Sequence, residues 1–321
     1  MKDAWGRTIE YVRLSLTDAC NFCCPYCRPA EITPQSQTQL LTVDEWMTIL
    51  EAFHRIGVKA VRLTGGEPLL YPHIEELLGR INDTGWFEDI SMTTNGSLLA
   101  SRAQRLRKLG LNRVNISLDS LESEAFATCV GKEGQLESVL EGIQSAINAN
   151  FKSVKINTVL SRYWSDDEVK SLLQYVEKWP VVWRFIEYMP FQGDAFHGPT
   201  FDEWKAQLER VSGGPLTEVH SVYGFGPATY LALPSGKAVG FIFSMSHSYC
   251  DTCNRVRLTS DGQMRLCLLR DDEADLVSLV RNGTTAEALA EHIERALQRK
   301  QERHDGIGME QPERPMWRIG G

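Results

Sequence analysis

The sequence lacks any run of about 18 or more consecutive apolar residues, and its opening, MKDAWGRTIEY, has no apolar core of signal-peptide length. Neither a membrane helix nor a secretory leader is therefore expected, which leaves a soluble, cytoplasmic protein as the reading. It also lacks an excess of positive charge, since Lys and Arg total 34 against 42 Asp and Glu, for a formal net charge of -8. That balance argues against non-specific binding to a nucleic-acid backbone, because such binding draws its free energy from counterions released around phosphates. No G-x-x-x-x-G-K-[ST] loop is present, so any phosphate must be met by scattered side chains. There is no low-complexity stretch and no fixed-period repeat. What remains is an ordinary globular composition, 42% hydrophobic and 24% charged over 321 residues, long enough to bury a large core without disulfides.

Cysteines are present, and unevenly placed. Cys20, Cys23, Cys24 and Cys27 lie together, Cys250, Cys253 and Cys267 form a second group, and Cys129 stands alone. Without a secretion signal such clusters read as metal sites. Cys129, in TCVG, fits no cluster spacing and reads as a small buried hydrophobe.

From Tyr11 to about Met189, short β-branched runs alternate with amphipathic helical stretches, the rhythm of a parallel sheet. Strands are expected at Tyr11–Leu16, Ala60–Thr64, Asp89–Thr93, Arg113–Ser117, Val154–Val159 and Val182–Ile186. The first helix has a capping box in Thr42 and Glu45, with Gly57 past its end. Six such units are too few for a closed eight-stranded barrel. Each strand nevertheless ends in a polar or glycine-rich segment, namely TDACNFCCPYC, TGGEP, TTNG, SLDS, NTV and EYMP. Ligands gather at the carboxyl ends of parallel strands, so the chemistry is expected on one face. After Pro190 the rhythm changes to a helix over Phe201–Val211, hairpin strands over Tyr230–Leu233 and Ala238–Phe243, and two closing helices, the last near Thr285–His304. The expected architecture is α/β, a partial (β/α)6 TIM-type barrel over residues 1–190 with a smaller C-terminal region over 191–321 that covers its open part. Trp5, Trp46 and Trp183 are expected to pack in the core or at its rim.

Cys20, Cys24 and Cys27 have C-x3-C-x2-C spacing directly after a strand. Three thiolates from one loop can hold three corners of a 4Fe-4S cubane and leave one iron open to a small molecule. A structural zinc site usually takes four protein ligands, and no nearby His supplies the fourth. Cys23 falls outside the spacing. The second group has C-x2-C-x13-C spacing, and Asp261-Gly262 reads as a hairpin turn that brings Cys267 beside the first pair. A second cluster with an open iron is one reading, and zinc with His247 as fourth ligand is the other. The remaining histidines form no ligand pattern.

TDACNFCCPYC followed by TGGEPLL and TTNG, with NISLDS and RFIEYMP beyond, resembles the radical S-adenosylmethionine superfamily. The resemblance implies that the open iron binds S-adenosylmethionine and that one electron splits it into methionine and a 5'-deoxyadenosyl radical. The paired cluster spacings, the opening GRTIEYVRLSLTDACN and the final RIGG narrow the likeness, from Gly6 to Gly321, to the GTP 3',8-cyclase family of molybdenum cofactor biosynthesis. That implies two 4Fe-4S clusters, GTP between them with its guanine at the second, hydrogen abstraction from ribose C3' and closure onto guanine C8. By the same match Tyr26, Gly66, Ser117 and Met189 line the S-adenosylmethionine pocket, and Arg13, Arg62, Thr93, Lys155, Arg255 and Arg257 contact GTP. Arg184, on the last core strand, joins them as a further cation. Arg13, Arg255, Arg257 and the tail glycines Gly320 and Gly321 are the expected catalytic set. Two places depart from the family pattern: Ala19, where a basic residue is expected before Cys20, and Trp317-Arg318 before the tail glycines. An external electron donor is required, a cyclic pyranopterin monophosphate synthase would take the product, and a homodimer follows by analogy. Two rivals remain open at this point, a radical S-adenosylmethionine peptide maturase with an auxiliary cluster and a non-catalytic iron-sulfur carrier or zinc-binding module.

Overall fold

Polar and apolar residues alternate along the central strands of the computed structural model, which describes residues 1–28, 40–190, 198–219, 224–304 and 314–320. Strand β1 (Tyr11–Ser15) leads to helix α1 (Val43–Arg55), and five further strands alternate with helices: β2 (Ala60–Thr64), α2 (Ile74–Thr84), β3 (Asp89–Thr94), α3 (Ala103–Lys108), β4 (Arg113–Ser117), α4 (Ser123–Val130), α5 (Leu136–Asn148), β5 (Ser153–Val159), α6 (Asp166–Lys178) and β6 (Val182–Ile186). The six strands pair in parallel in chain order, each within one residue of the span expected from sequence.

Their apolar positions, among them Val12, Leu14, Val61, Leu63, Val114, Ile116, Val154, Ile156, Trp183 and Phe185, belong to one hydrophobic core. Successive side chains on a strand point to opposite faces, so the intervening Arg13, Arg62, Asn115, Lys155, Asn157 and Arg184 share the other face. Parallel strands covered on both sides usually read as continuous apolar runs. The alternation here means that one face of the sheet is a polar lumen.

The helices form because each has a core-facing apolar stripe and a start signal. In α1, Trp46, Ile49, Leu50 and Phe53 are buried, and Thr42 with Glu45 closes the capping box through bonds of 3.2 and 2.8 Å, as the sequence indicates. Trp183 is buried as well, whereas Trp5 is half exposed and donates its indole N–H to the Lys300 carbonyl.

Beyond β6 come α7 (Phe201–Ser212), β7 (Thr217–Glu218), β8 (Thr229–Ala232), β9 (Ala238–Ile242), β10 (Arg255–Leu258), β11 (Gln263–Arg265), β12 (Glu273–Asp275), α8 (Val277–Arg281) and α9 (Ala286–Leu297). Strand β9 adds in parallel to β6, and β10 adds in parallel to β1. The chain after residue 190 thus extends the barrel sheet at both edges, and antiparallel hairpins then continue it outward to β7 and β12. Helix α9 packs on α1 and ends well before His304, where buried Lys300 turns inward to donate to the Leu266 carbonyl. Among the described residues no helix is long and apolar enough to cross a membrane.

Candidate active site

The loop after β1 carries the first cysteine group onto the wall of a large cavity at the carboxyl ends of the strands. Cys20, Cys24 and Cys27 all line it, and its free space is about 1580 Å3, part of it open at the mouth. The loop is held by its own backbone, with Cys27 N–H donating to Cys24 O at 2.9 Å and Cys23 N–H to Val130 O at 2.9 Å. Burial, reinforced by Cys20, pushes the Cys27 thiol up to about 12. Burial likewise raises Cys24, with Cys27, Asp119 and Cys20 adding to it. Three thiols that oppose one another's ionisation are relieved by a cationic centre, which is the chemistry of an iron cluster and fits this donor set. Cys129 is buried in the core region, as expected of it.

The TGGEP turn packs against this loop by backbone alone. A Cβ on Gly66 would lie 2.4 Å from Ala19 O and 2.7 Å from Asp18 O, so only glycine fits. Ala19 acts through its carbonyl, accepting from Glu67 N–H at 2.8 Å, a bond that any residue can make. The Glu67 carboxylate is fully buried and accepts from Thr94 Oγ1 at 2.7 Å, Asn95 N–H at 2.7 Å and Leu69 N–H at 3.0 Å. Burial raises it to about 7 despite those bonds.

Tyr26, Gly66, Ser117 and Met189, the four positions matched to S-adenosylmethionine, all line the same cavity. Tyr26 donates its hydroxyl to Asp119 Oδ2 at 2.8 Å, and Asp119 Oδ1 accepts from Val159 N–H at 2.8 Å. Burial lifts Asp119 to about 6. Met189 Sδ accepts from Ser244 Oγ at 3.2 Å, and Glu187 fixes the following loop by accepting from Met245 and Ser246 N–H at 2.6 and 3.1 Å. Glu67, Asp119 and Glu187 lie inside the quoted TGGEP, SLDS and EYMP segments but were not singled out from sequence, although a carboxylate at a strand end was an available signal.

The cations converge by register. Arg257, Arg13 and Arg62 stand on paired positions of β10, β1 and β2, and Asn157 pairs with Arg184 across β5 and β6. Arg13, Arg62, Thr93, Arg184, Arg255 and Arg257 line the cavity, whereas Lys155 does not. It is buried on the lumen face of β5, and burial, with Arg184, Arg62 and Arg113 pressing in the same direction, lowers it to about 6. Thr93 Oγ1 and Arg255 Nε are buried without a hydrogen-bond partner among the described residues.

The tail enters the same lumen. The Gly320 carbonyl accepts from Arg13 Nη2 at 3.1 Å and from Arg257 Nη1 at 3.2 Å. Trp317 is buried, with the guanidinium groups of Arg28 and Arg318 over its ring at 5.5 and 4.9 Å. Those contacts give the atypical Trp317-Arg318 pair a packing role. Gly321 lies outside the described residues.

The second cysteine group sits on an adjoining cavity with about 530 Å3 of free space, lined by Cys250, Cys253 and Cys267. Met189, Tyr249, Arg255 and Arg257 line both cavities, so the two adjoin. Cys267 is brought back by the β10–β11 hairpin, whose turn closes with Gly262 N–H on Thr259 O at 3.0 Å, as the Asp261-Gly262 pair indicated. Burial opposes ionisation of Cys250, but hydrogen bonding from His304 and Ser248 outweighs it and brings the thiol down to about 6. Burial also opposes ionisation of Cys253, and Lys300 and Arg255 outweigh it in turn. Thiolates are what metals bind, so this donor set too fits a cluster. His247, the sequence candidate for a zinc ligand, instead packs its ring on Phe201 at 4.6 Å, and the histidine lining the cavity is His304. Sequence spacing missed His304 because it arrives from beyond α9. Among the described residues no three His, Cys, Asp or Glu side chains close on a single metal ion.

Comparison with known proteins matches the Radical SAM superfamily over residues 14–176 and Molybdenum Cofactor Synthesis C over residues 181–306. The chain is 38% identical over its full length to the full-length GTP 3',8-cyclase of Pelotomaculum thermopropionicum. It is 39% identical to that of Marinobacter nauticus, covering 95% of this chain and 93% of the relative. Molybdenum cofactor biosynthesis protein 1 of Mus musculus is 37% identical over the whole of this chain, which spans 51% of the mouse protein. Among solved structures, Streptococcus suis SuiB bound to S-adenosylmethionine superposes with a TM-score of 0.65 at 15% identity, covering 84% of this chain and 64% of SuiB, a likeness of fold. Sequence, sheet order and full-length identity agree: the chain belongs to the GTP 3',8-cyclase family of the Radical SAM superfamily.

Proposed function

We propose that this chain is a GTP 3',8-cyclase that converts GTP to 3',8-cyclo-7,8-dihydroguanosine triphosphate, the first step of molybdenum cofactor biosynthesis. The observation that carries the reading is a pair of adjoining cavities, each walled by a three-cysteine group and sharing Arg255 and Arg257, with further arginines from β1, β2 and β6 lining the larger one. In this reading Cys20, Cys24 and Cys27 hold a first 4Fe-4S cluster, and Cys250, Cys253 and Cys267 hold a second. When bound, the first cluster supplies the electron that cleaves S-adenosylmethionine.

The chain's own residues do the rest. Tyr26, Gly66, Ser117 and Met189 seat S-adenosylmethionine beside the first cysteines. Arg13, Arg62, Thr93, Lys155, Arg184, Arg255 and Arg257 draw the triphosphate into the lumen, where planar guanidinium forks suit phosphate oxygens. Gly320 narrows the lumen, Gly321 completes the catalytic set with it, and Arg13, Arg255 and Arg257 hold the reacting ribose and guanine in line. Closing off water protects a carbon radical from side reactions. A peptide maturase has no need of an arginine-lined lumen.

The division of labour is residues 1–190 as the barrel and 191–321 as the extension that carries the second cluster. The working protein takes electrons from an external donor in the cytoplasm, passes its product to a cyclic pyranopterin monophosphate synthase, and pairs as a homodimer. The test is an anaerobic reaction of cluster-reconstituted protein with dithionite, S-adenosylmethionine and GTP, read by mass spectrometry. Formation of 5'-deoxyadenosine together with a cyclised GTP isomer supports the assignment. Deoxyadenosine without a GTP product removes the substrate, and neither product from cluster-replete protein removes the enzyme.

A further inference from the structure

Buried arginines ordinarily sit against carboxylates, because an unpaired charge is costly in a low-dielectric interior. This lumen departs from that rule. Arg184 is 1% exposed, and its guanidinium is held by two amide oxygens: Nε and Nη2 donate to Asn157 Oδ1 at 3.0 and 2.6 Å, and Nη2 donates to Asn115 Oδ1 at 2.7 Å. Asn115 is in turn oriented by its Nδ2 donating to Met92 O at 3.0 Å. Arg62 follows the same pattern, with Nε on the Ser91 hydroxyl at 3.2 Å. By contrast, Arg113 at the start of β4 pairs with Asp89 at the start of β3. The sheet can therefore place an acid opposite an arginine, and does so at the amino ends of β3 and β4 while using neutral acceptors further along.

We infer that Asn115 and Asn157 are positioning residues that fix the Arg184 fork through neutral oxygens, leaving its full positive charge available to a polyphosphate. A carboxylate in either place would hold the fork equally well and cancel the charge. An amide meets the hydrogen-bond demand without doing so. Burial pushes Arg184 down to about 10, with Arg62 contributing in the same direction against Tyr230, so the group stays cationic at neutral pH. The charge that burial penalises is recovered when an anion arrives. This inference rests on the reading that GTP enters the lumen, and it deepens that reading by naming what sets the lumen's affinity for phosphate.

The experiment compares GTP, guanosine and tripolyphosphate binding by anaerobic calorimetry on cluster-reconstituted protein, for the wild type, Asn157→Asp and Asn115→Asp. Iron content and S-adenosylmethionine binding check that each variant is intact. The expected result is that either aspartate weakens GTP and tripolyphosphate by roughly tenfold or more while guanosine binding stays at its wild-type level. Asn157→Ala, which loosens the fork without adding charge, should weaken GTP less than Asn157→Asp does. Equal loss of GTP and guanosine, or unchanged GTP binding in both aspartate variants with their iron intact, overturns the inference. A wild type that fails to prefer GTP over guanosine overturns the reading of GTP in the lumen itself, and the inference with it. If one variant fails to fold, the other carries the comparison.

Discussion

Arg13 and Gly320 meet inside the barrel, the Arg13 Nη2 donating to the Gly320 carbonyl at 3.1 Å, and Arg257 Nη1 reaches the same oxygen at 3.2 Å. The C-terminal tail is thus seated by two of the arginines expected to act on substrate. It forms part of the site wall.

Replacing Gly320 tests that seating. The residue has φ +74°, and a Cβ would fall 2.7 Å from Thr64 Oγ1 and 3.1 Å from Ser15 Cβ. Gly320→Ala combines left-handed strain of about 1–2 kcal/mol with a steric clash, so the tail should leave the lumen. The expected outcome is a fall of about tenfold or more in cyclised product per deoxyadenosine formed, with cluster content and S-adenosylmethionine binding unchanged. A product ratio equal to that of the wild type would remove the tail from the mechanism.

Lys155 gives the site a pH signature. Its folded pKa is about 6, against about 10.4 in an unfolded chain. Between those values the unfolded state binds the extra proton, so stability of the ligand-free protein should rise with pH. A bound triphosphate favours the charged form and raises the Lys155 pKa, so GTP binding takes up a proton in this window. GTP affinity should therefore fall between about pH 7 and 9, by up to about tenfold per unit. Lys155→Met should flatten both trends, in denaturant titrations and in calorimetry repeated across buffers of different ionisation enthalpy.

The two cysteine groups should separate by phenotype. Cys24→Ala is expected to abolish deoxyadenosine formation. Cys267→Ala is expected to keep it while losing the cyclised product, because in the proposed reading only the second group faces the guanine. Paired iron analysis and chromatography of both products decide it. Identical losses in the two variants would argue that the second group serves the first, not the substrate.

Much of this was legible in the sequence. The six barrel strands were marked by β-branched runs, and the capping box at Thr42 and the turn at Asp261-Gly262 formed where their chemistry requires. The cysteine spacings placed both groups on cavity walls. Strands β9 and β10 joining opposite edges of the barrel was not legible, since hairpin strands advertise their antiparallel partners and not a distant parallel one. Asn115, Asn157 and Ser91 went unnoticed because a lone amide or hydroxyl on a strand carries no motif. The available signal was the polar residue at the centre of each of YVRLS, AVRLT, RVNIS and VWRFI, flanked on both sides by apolar ones. His304 had no spacing relation to the cysteines it joins.

The central claim is that a radical generated beside the first cysteines takes hydrogen from the ribose of GTP, and deuterium at C3' of GTP tests it most directly. Cluster-replete protein should place one deuterium in 5'-deoxyadenosine as the cyclised product forms. Deoxyadenosine produced in the presence of that substrate without deuterium would contradict the account.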